Sequence, residues 1–264
     1  MNNFKHKKSL GQNFIQNNEI INQIIEKVSI SDTDLIIEIG PGKGVLTKAL
    51  KKFNAIVLAY EIDETLKPEL DLIVDNKTKI LYKDFLNADV LNDIKDISYE
   101  SLFIIANLPY YITTPIIEKI INLNIPVNTM VLMVQKEVAE RLAAKPGNRA
   151  YGSLTVYLNY YFEISKLFDV GKENFYPIPN VDSAVIKMAR RKESFEVLDE
   201  TIFFELVKNA FQQKRKTIKN NLKNYNLEII ERVLTENNLS LSSRAEQIDI
   251  SIFVAISNRL CSQK

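Results

Sequence analysis

Short apolar runs alternate with longer segments of helical periodicity between Asp34 and about Gln135. The runs are rich in β-branched residues and almost continuously apolar, as expected of strands that helices cover on both faces. This alternation is typical of βα units that build a parallel sheet. We therefore predict at least five parallel strands, over Leu35–Ile39, Ile56–Glu61, Lys79–Tyr82, Leu102–Ala106 and Met130–Val134.

A crossover helix is predicted between the first two of these strands. Val45, Leu46, Ala49 and Leu50 fall on one helical face, and lysines occupy the opposite face. A helix with one apolar stripe packs that stripe on the sheet and exposes its charges. This segment therefore connects two parallel strands.

The pattern changes after Gly152, where a helix is predicted to run to Tyr161. Two more strands, over Phe162–Val170 and Ser183–Arg190, flank a proline-containing loop. From about Glu200 onward the period is helical. We predict an α/β domain over residues 1–192 and a small all-helical domain over residues 193–264. The predicted apolar face of the latter holds Phe204, Val207, Phe211, Ile218 and Leu222, and further helices cover Leu227–Glu236 and Ser251–Leu260.

Composition narrows the class of protein. With 264 residues, 46% of them hydrophobic and 25% charged, and with only 7 Gly and 8 Pro, the chain is long enough and apolar enough to bury a full core. Disordered and collagen-like architectures are excluded. One cysteine, Cys261, and one histidine, His6, cannot supply a disulfide or the usual zinc ligands. We expect no metal in the reaction.

The N-terminal lysines are not followed by an apolar stretch, and no run of 18 apolar residues occurs in the sequence. We therefore expect neither a signal peptide nor a membrane span, and a cytoplasmic location. The net charge of +1 leaves nucleic-acid binding open, because a balanced total can hide a basic face.

A glycine-rich turn, Gly40-Pro41-Gly42-Lys43-Gly44, follows the first strand. Glycines there allow a ligand to approach the backbone closely at the start of a helix. The spacing is G-x-G-x-G rather than the G-x-G-x-x-G of dinucleotide sites, and a simple tight turn would have the same composition. The turn favours an anionic or nucleotide-like ligand only if neighbouring loops agree.

Acidic residues stand at the carboxyl ends of the next two predicted strands, with Glu61 closing the second and Asp84 following the third. Glu61 can accept both hydroxyl hydrogens of a ribose, and Asp84 can accept from an adenine amino group while Phe85 packs on the ring. Each carboxylate alone could be a solvated strand end. Because carboxyl ends of parallel strands meet at one edge of the sheet, the three loops together predict a site for an adenosyl ligand.

The fourth strand ends in Asn107-Leu108-Pro109-Tyr110, the most specific motif in the chain. An exocyclic amine of adenine is a poor nucleophile, so it must be positioned and its hydrogens accepted. The Asn107 side-chain oxygen and the Pro109 carbonyl can do both. Proline fixes its backbone, and Tyr110 offers a flat face for stacking. We predict that this motif is catalytic, although a Pro-Tyr turn at a strand exit is the structural alternative.

A second aromatic motif, Phe175-Tyr176-Pro177-Ile178-Pro179, lies between the last two strands. The prolines stiffen the loop, which would hold Phe175 as a stacking face opposite Tyr110. A base between two aromatic rings has left its stack, which is how enzymes reach base atoms. The predicted acceptor is therefore nucleic acid, unless the loop is an ordinary proline turn.

Basic residues cluster where acidic ones are absent, between Glu205 and Glu228. Such clusters neutralise phosphates. A solvated helix face is the alternative. The predicted RNA-binding set comprises Lys7, Lys8, Arg190, Arg191, Lys214, Arg215, Lys216, Lys219 and Lys223; Lys5, Lys192 and Lys208 lie in the same clusters.

These motifs resemble those of the ribosomal RNA adenine dimethyltransferases, in particular the bacterial enzymes that dimethylate two adjacent adenosines of the small subunit. The resemblance runs nearly end to end, through Lys8–Ile15, Glu38–Gly44, Asn107–Tyr110, Phe175–Ala184 and Phe211–Leu222. It implies an α/β class I methyltransferase fold, Rossmann-like, with seven strands ordered 3-2-1-4-5-7-6, the last antiparallel. It also implies S-adenosylmethionine as cofactor.

By the same resemblance, Gly40 and Gly42 would pass the methionine portion of the cofactor, Glu61 would hold the ribose and Asp84 the adenine. Asn107 would lie between cofactor and acceptor. The implied cofactor-binding set is completed by Gln12, Asn13, Ile15, Ile62 and Phe85.

The sequence departs from the family pattern at Tyr111, where asparagine is usual, and at Lys214, where arginine is frequent. Tyr111 puts the fine shape of the acceptor pocket in doubt, and Lys214 is a less selective phosphate contact than arginine. The predicted substrate is 16S ribosomal RNA in the small subunit, acted on by a monomer. Two rivals stay open: a resistance-type methyltransferase of large-subunit (23S) RNA, and a ribosome-assembly factor that docks on the subunit and methylates only incidentally.

Overall fold

A computed structural model describes residues 13–262 of the chain. Seven strands form one sheet in the order β4-β3-β2-β5-β6-β9-β7, and β1 pairs with β8 in a separate two-stranded ladder. The strands are β1 Phe14–Ile15, β2 Leu35–Ile39, β3 Ile56–Tyr60, β4 Thr78–Leu81, β5 Leu102–Asn107, β6 Thr129–Gln135, β7 Phe162–Val170, β8 Phe175–Tyr176 and β9 Ser183–Arg190.

Counted along the chain, the seven sheet strands have the order 3-2-1-4-5-7-6. The pairs joining β4, β3, β2, β5 and β6 are parallel, whereas β9 runs antiparallel to β6. All five residues of β2 are buried, as the near-continuous apolar runs predict for a strand covered on both faces. The predicted parallel sheet and its antiparallel last strand are therefore confirmed.

Helices connect the strands, and in the described part of the chain four more α-helices come after the last strand of the sheet. They are α1 Asn18–Glu26, α2 Val45–Leu50, α3 Lys67–Leu70, α4 Val90–Ile94, α5 Thr113–Asn122, α6 Lys136–Leu142, α7 Ser153–Tyr161, α8 Glu200–Ala210, α9 Ile218–Asn221, α10 Leu227–Glu236 and α11 Ile250–Cys261. Side chains cap several of their N-termini: Asn17 caps α1, Asp199 caps α8 and Asp249 caps α11.

The chain divides into two compact units. The first contains the residues up to Ala139 together with Ser165–Arg190, and the second contains Glu140–Ile164 and the residues from Arg191 onward. The second unit therefore begins earlier than the predicted boundary after residue 192. The reason is packing: Val156 and Tyr160 of α7 belong to the same apolar cluster as Phe203 and Phe253.

The C-terminal helical pattern is also more broken than predicted. α8 ends at Ala210, and residues 211–217 form a turn before the short α9. The Asn221 side chain donates to the Ala210 carbonyl at 2.6 Å and thereby supplies a partner for the end of α8. The predicted apolar residues Phe204, Val207, Phe211, Ile218 and Leu222 do pack in one cluster, but they come from two helices and the turn between them rather than from one continuous helix.

Candidate active site

The carboxyl ends of β2, β3, β4 and β5 surround a cleft in the first unit. This is the edge at which open α/β sheets bind ligands. Each loop that the sequence predicts to bind the cofactor, and that the structure describes, contributes residues to this cleft. The lining residues include Asn13, Phe14, Gly40, Gly42, Glu61, Ile62, Asp84, Phe85, Asn107, Pro109, Tyr110, Tyr111 and Ile116.

The glycine turn forms one wall of this cleft. Gly40 and Gly42 have φ values of +71° and +57°, a conformation that side chains rarely adopt. A Cβ atom on Gly42 would lie 2.6 Å from Cε1 of Phe14, so only glycine lets the Phe14 ring cover the turn. The turn is thus shaped for close approach, as the sequence predicts.

Glu61 fixes the turn from the next strand. Its Oε2 accepts the backbone N–H of Gly42 at 3.1 Å, and its Oε1 accepts the backbone N–H of Asp63 at 2.8 Å. The side chain is 4% exposed. Burial raises its pKa, while the two N–H donors favour the ionised form. Each carboxylate oxygen keeps a second lone pair, which can accept a ribose hydroxyl.

Asp84 and Phe85 form the far end of the cleft. Asp84 Oδ1 accepts the Leu86 backbone N–H at 2.9 Å, and its Oδ2 accepts from the Asn87 side chain at 2.7 Å. Phe85 is buried, and its ring centroid lies 5.2 Å from that of Tyr60 with the planes nearly perpendicular. A buried aromatic wall beside a fixed carboxylate suits a purine with an exocyclic amine.

The predicted catalytic motif stands at the end of β5. Asn107 Nδ2 donates to the Asn13 backbone carbonyl at 3.0 Å, which leaves its Oδ1 as the amide's acceptor. The Tyr110 hydroxyl lies 2.8 Å from the Ser183 hydroxyl oxygen, and burial raises the pKa of Tyr110. The backbone just before β1 therefore holds the amide orientation, and Ser183 at the start of β9 holds the tyrosine hydroxyl.

A second cavity adjoins the cleft and shares Phe14, Gly40 and Asn107 with it. Ile15, which the resemblance assigns to the cofactor site, lines this second cavity rather than the first. Its other lining residues include Glu38, Pro41, Lys43 and Tyr176. Asn107 therefore stands between two recesses.

Glu38 is a site residue that the sequence analysis did not single out by itself. It is 1% exposed, and its Oε2 has no hydrogen-bond partner among the described residues. Burial raises its pKa to about 8, and the nearby Glu61 carboxylate adds to the effect. A carboxylate between Ile37 and Ile39 in an otherwise apolar strand was the signal that could have revealed it.

Phe175 does not fill its predicted position. It pairs with Ile15 across the small ladder and is 1% exposed, so its ring belongs to the core rather than to an acceptor pocket. Successive strand residues point to opposite faces, which turns the neighbouring Tyr176 outward. Tyr176 is 54% exposed and lines the second cavity with Asn107. The prediction of Phe175 as a stacking face is therefore wrong in this structure.

Two predicted RNA contacts instead have structural partners. Arg190 donates to the carbonyls of Val127 and Ile125 at 3.1 and 3.4 Å. Arg191 donates to the Asn159 carbonyl at 2.7 Å and lies over the Phe195 ring. Their guanidinium groups therefore bond the end of β9 to the backbone of other segments of the chain. These bonds use only part of each guanidinium, so contact with RNA phosphates stays a prediction for both residues.

The remaining predicted basic residues are exposed in the second unit: Lys214, Arg215, Lys216, Lys219 and Lys223. The first three stand in the turn between α8 and α9 rather than on a helix. Lys7, Lys8 and Gln12 lie outside the described residues.

Over residues 13–262, no helix combines the length and apolar character needed to cross a membrane. Within that same range, no group of three or more His, Cys, Asp or Glu side chains could hold a metal ion.

The seven-stranded topology and the cleft define a class I S-adenosylmethionine-dependent methyltransferase. The residues fit that cofactor, because a glycine turn, a ribose-type carboxylate and an apolar slot beside Asp84 follow one another around a single cleft. The chain belongs to the ribosomal RNA adenine dimethylase family, which it matches over residues 3–260.

Individual relatives agree with this assignment. The chain is 43% identical over 274 aligned positions to "Ribosomal RNA small subunit methyltransferase A" of Bacillus mycoides (strain KBAB4), covering 99% of this chain and 93% of the relative. Among solved structures, a dimethyladenosine transferase from Plasmodium falciparum superposes with a TM-score of 0.75 at 26% identity, over 92% of this chain and 95% of that one. The 23S rRNA methyltransferase ErmE has a similar fold, with a TM-score of 0.77 at 24% identity, over 94% and 100% of the two chains.

Proposed function

We propose that this chain dimethylates the N6 amines of two adjacent adenosines in a 3′-terminal hairpin of 16S ribosomal RNA, within the small subunit, as a step linked to subunit biogenesis. The observation that carries the proposal is the position of Asn107, which lines both the cofactor cleft and the adjoining cavity with Tyr176. The near full-length similarity to a small-subunit methyltransferase supports the choice of subunit.

In this proposal the cofactor's adenosine occupies the cleft from Glu61 to Phe85. Glu61 accepts the ribose hydroxyls, and Asp84 accepts the adenine amino group. Ile62 and Ile116 provide apolar contacts along the slot. S-adenosylmethionine supplies a methyl group made electrophilic by its positively charged sulfur.

Asn107 Oδ1 and the Pro109 carbonyl then accept the hydrogens of the acceptor amine and aim its lone pair at the methyl group. Because Nδ2 of Asn107 is held by the Asn13 carbonyl, the acceptor oxygen is set before the substrate arrives. With the cofactor bound, transfer would exchange its S–CH₃ bond for a C–N bond and release the amine proton to water, while Asn107 and Pro109 would keep the amine in position. The same step repeats on the monomethylated amine.

Two tyrosines flank Asn107 and are proposed to grip the flipped base. Tyr110 lies on the cleft side, and Tyr176 takes the place first predicted for Phe175. Exposed lysines and Arg215 around the α8–α9 turn are proposed to contact RNA phosphates. We expect the protein to act in the cytoplasm as a monomer.

The test compares the wild type with Asn107→Ala on small subunits that lack the two modifications, using radiolabelled S-adenosylmethionine and nucleoside analysis. We expect N6,N6-dimethyladenosine from the wild type and at least about a 100-fold slower transfer from the variant. Its cofactor Kd should stay within about twofold, because the lost interaction is made in the transition state. Asn122→Ala, at the exposed end of α5, is the matched control.

Near-normal transfer by Asn107→Ala would remove this residue from the mechanism. A different outcome concerns the docking alternative. If the variant binds cofactor and subunits, transfers no methyl and yet fully restores subunit assembly, the contribution to biogenesis is docking rather than methylation.

A further inference from the structure

Lys119 binds the loop that closes the adenine end of the cleft. It lies on α5, and its Nζ donates to the carbonyl oxygens of Phe85, Leu86 and Ala88 at 2.7, 2.9 and 2.6 Å. A lysine ammonium has three N–H donors, so these three bonds use all of them. Nζ also lies 5.5 Å from the centroid of the Phe85 ring, within the range of a cation–π contact.

The loop supplies its other hydrogen bonds itself. Asp84 accepts the Leu86 N–H through its side chain and the N–H groups of Asn87 and Ala88 through its carbonyl. The internal hydrogen bonds therefore fix one side of the turn, and Lys119 donates to the carbonyl oxygens on the other side. Burial lowers the pKa of Lys119, and the charges of Asp84, Asp89 and Asp93 oppose this effect.

The same helix also forms a wall of the cleft. Ile116 lies one helical turn before Lys119 and lines the slot together with Ile62 and Phe85. A single rigid helix thus contacts the ligand-facing side through Ile116 and anchors the opposite loop through Lys119. The anchor fixes the distance between Ile116 and the Asp84–Phe85 wall.

We propose that Lys119 is a positioning residue that sets the adenine slot and thereby the enzyme's preference for an adenine over another purine in its cofactor. The inference rests on the proposed placement of the cofactor's adenine beside Asp84. Lys119 does not touch the cofactor in this account. It acts by holding the loop that carries Asp84 and Phe85.

The test measures Kd by calorimetry for S-adenosylhomocysteine and for S-inosylhomocysteine, in which the amino group of the base is replaced by an oxo group. Lys119→Met keeps the length of the side chain and removes its donors. We expect the Kd for S-adenosylhomocysteine to rise about tenfold and the inosyl/adenosyl ratio of Kd values to fall about fivefold. The turnover number at saturating cofactor should change by about twofold or less.

A ratio of two Kd values measured on one sample does not depend on its folded fraction, so general destabilisation leaves it unchanged. Lys119→Arg provides a second variant, because it keeps the charge but cannot offer three donors from one nitrogen. We expect it to give an intermediate ratio. Lys95→Met, an exposed lysine at the end of α4, is the control and should match the wild type.

A wild-type ratio in Lys119→Met, or in Lys119→Arg if the first variant fails to fold, would overturn the inference. Asp84→Asn separates this failure from failure of the proposed site. If Asp84→Asn lowers the ratio and Lys119→Met does not, only the role of Lys119 is wrong. If Asp84→Asn also leaves the ratio unchanged, the adenine does not lie beside Asp84 and the placement itself is wrong.

Discussion

The two recesses on either side of Asn107 are built differently. In the cofactor cleft the carboxylates already have hydrogen-bond partners, and the buried Glu61 accepts the backbone N–H groups of Gly42 and Asp63. In the second cavity, by contrast, Asn107 shares the lining with Tyr176, which is 54% exposed. The cofactor cleft thus has its hydrogen bonds formed before a ligand binds. The second cavity leaves an exposed aromatic surface for a partner to cover.

The difference suits the ligand that each side is proposed to bind. A cofactor is the same small molecule in every cycle, so fixed donors and acceptors reduce the ordering needed on binding. A base must leave its stack and enter with a large RNA attached, and stacking on exposed rings tolerates such an approach. Burying the Glu61 carboxyl on the cofactor side has an energetic cost that an exposed ring such as that of Tyr176 does not share.

The largest effect should come from Glu38, the buried carboxyl that lines the second cavity beside Asn107. Its folded-state pKa of about 8 exceeds the ordinary 4.5, so the folded protein keeps a proton that the unfolded chain releases between these pH values. Stability should therefore fall as pH rises through this window, by up to about 1.4 kcal/mol per pH unit. Glu38→Gln should remove this part of the dependence.

The pH dependence of the free energy of unfolding is measured by chemical denaturation of the cofactor-free wild type and of Glu38→Gln at pH 5, 6, 7, 8 and 9. The difference between the two proteins isolates Glu38 from all other titrating groups. A wild type that does not lose stability relative to the variant between pH 5 and pH 8 would contradict the burial argument.

An effect of intermediate size should come from substituting each of the two aromatic residues of β8 in turn. Tyr176→Ala should lower kcat/KM for RNA about tenfold, because it removes a stacking face. Its thermal stability and cofactor Kd should change little. Phe175→Leu should do the reverse, lowering stability by about 1 kcal/mol through lost core packing while transfer continues. If Phe175→Leu impairs methyl transfer and Tyr176→Ala does not, Phe175 is the stacking residue, as the sequence predicts.

The smallest effect should come from the Tyr110–Ser183 hydrogen bond. Tyr110→Phe and Ser183→Ala each remove the bond and keep the ring, so each should lower transfer only about threefold. The double variant should be no slower than either single variant if the bond is what matters. Additive losses in this double-mutant cycle would show that the two hydroxyls act independently.

Much of the fold could be predicted because its signals are local. The apolar runs at Leu35–Ile39 and Leu102–Asn107 mark buried strands, and their order in the chain places the loops after them on one edge. The cofactor side follows from this arrangement, since Gly42, Glu61 and Asp84 each lie within three residues of the end of a strand.

What the sequence could not supply depends on contacts between distant segments. Phe175 and Tyr176 are adjacent aromatic residues, and only the pairing of Phe175 with Ile15 decides which of them is buried. The Ala210 carbonyl at the end of α8 accepts a hydrogen bond from Asn221, eleven residues further along the chain. Lys119 carried a detectable signal, a lysine between Ile116 and Ile120 on an apolar helix face, but its three partners lie more than thirty residues away.

The measurement that tests the central claim most directly offers the enzyme a choice of substrate. Purified protein and radiolabelled S-adenosylmethionine are incubated with unmethylated small subunits and, separately, with unmethylated large subunits, and the labelled nucleosides are identified. We predict N6,N6-dimethyladenosine from small-subunit RNA alone. Label confined to large-subunit RNA would contradict the account and assign the chain to the resistance-type enzymes, and no label from an enzyme with measured cofactor binding would favour the docking factor.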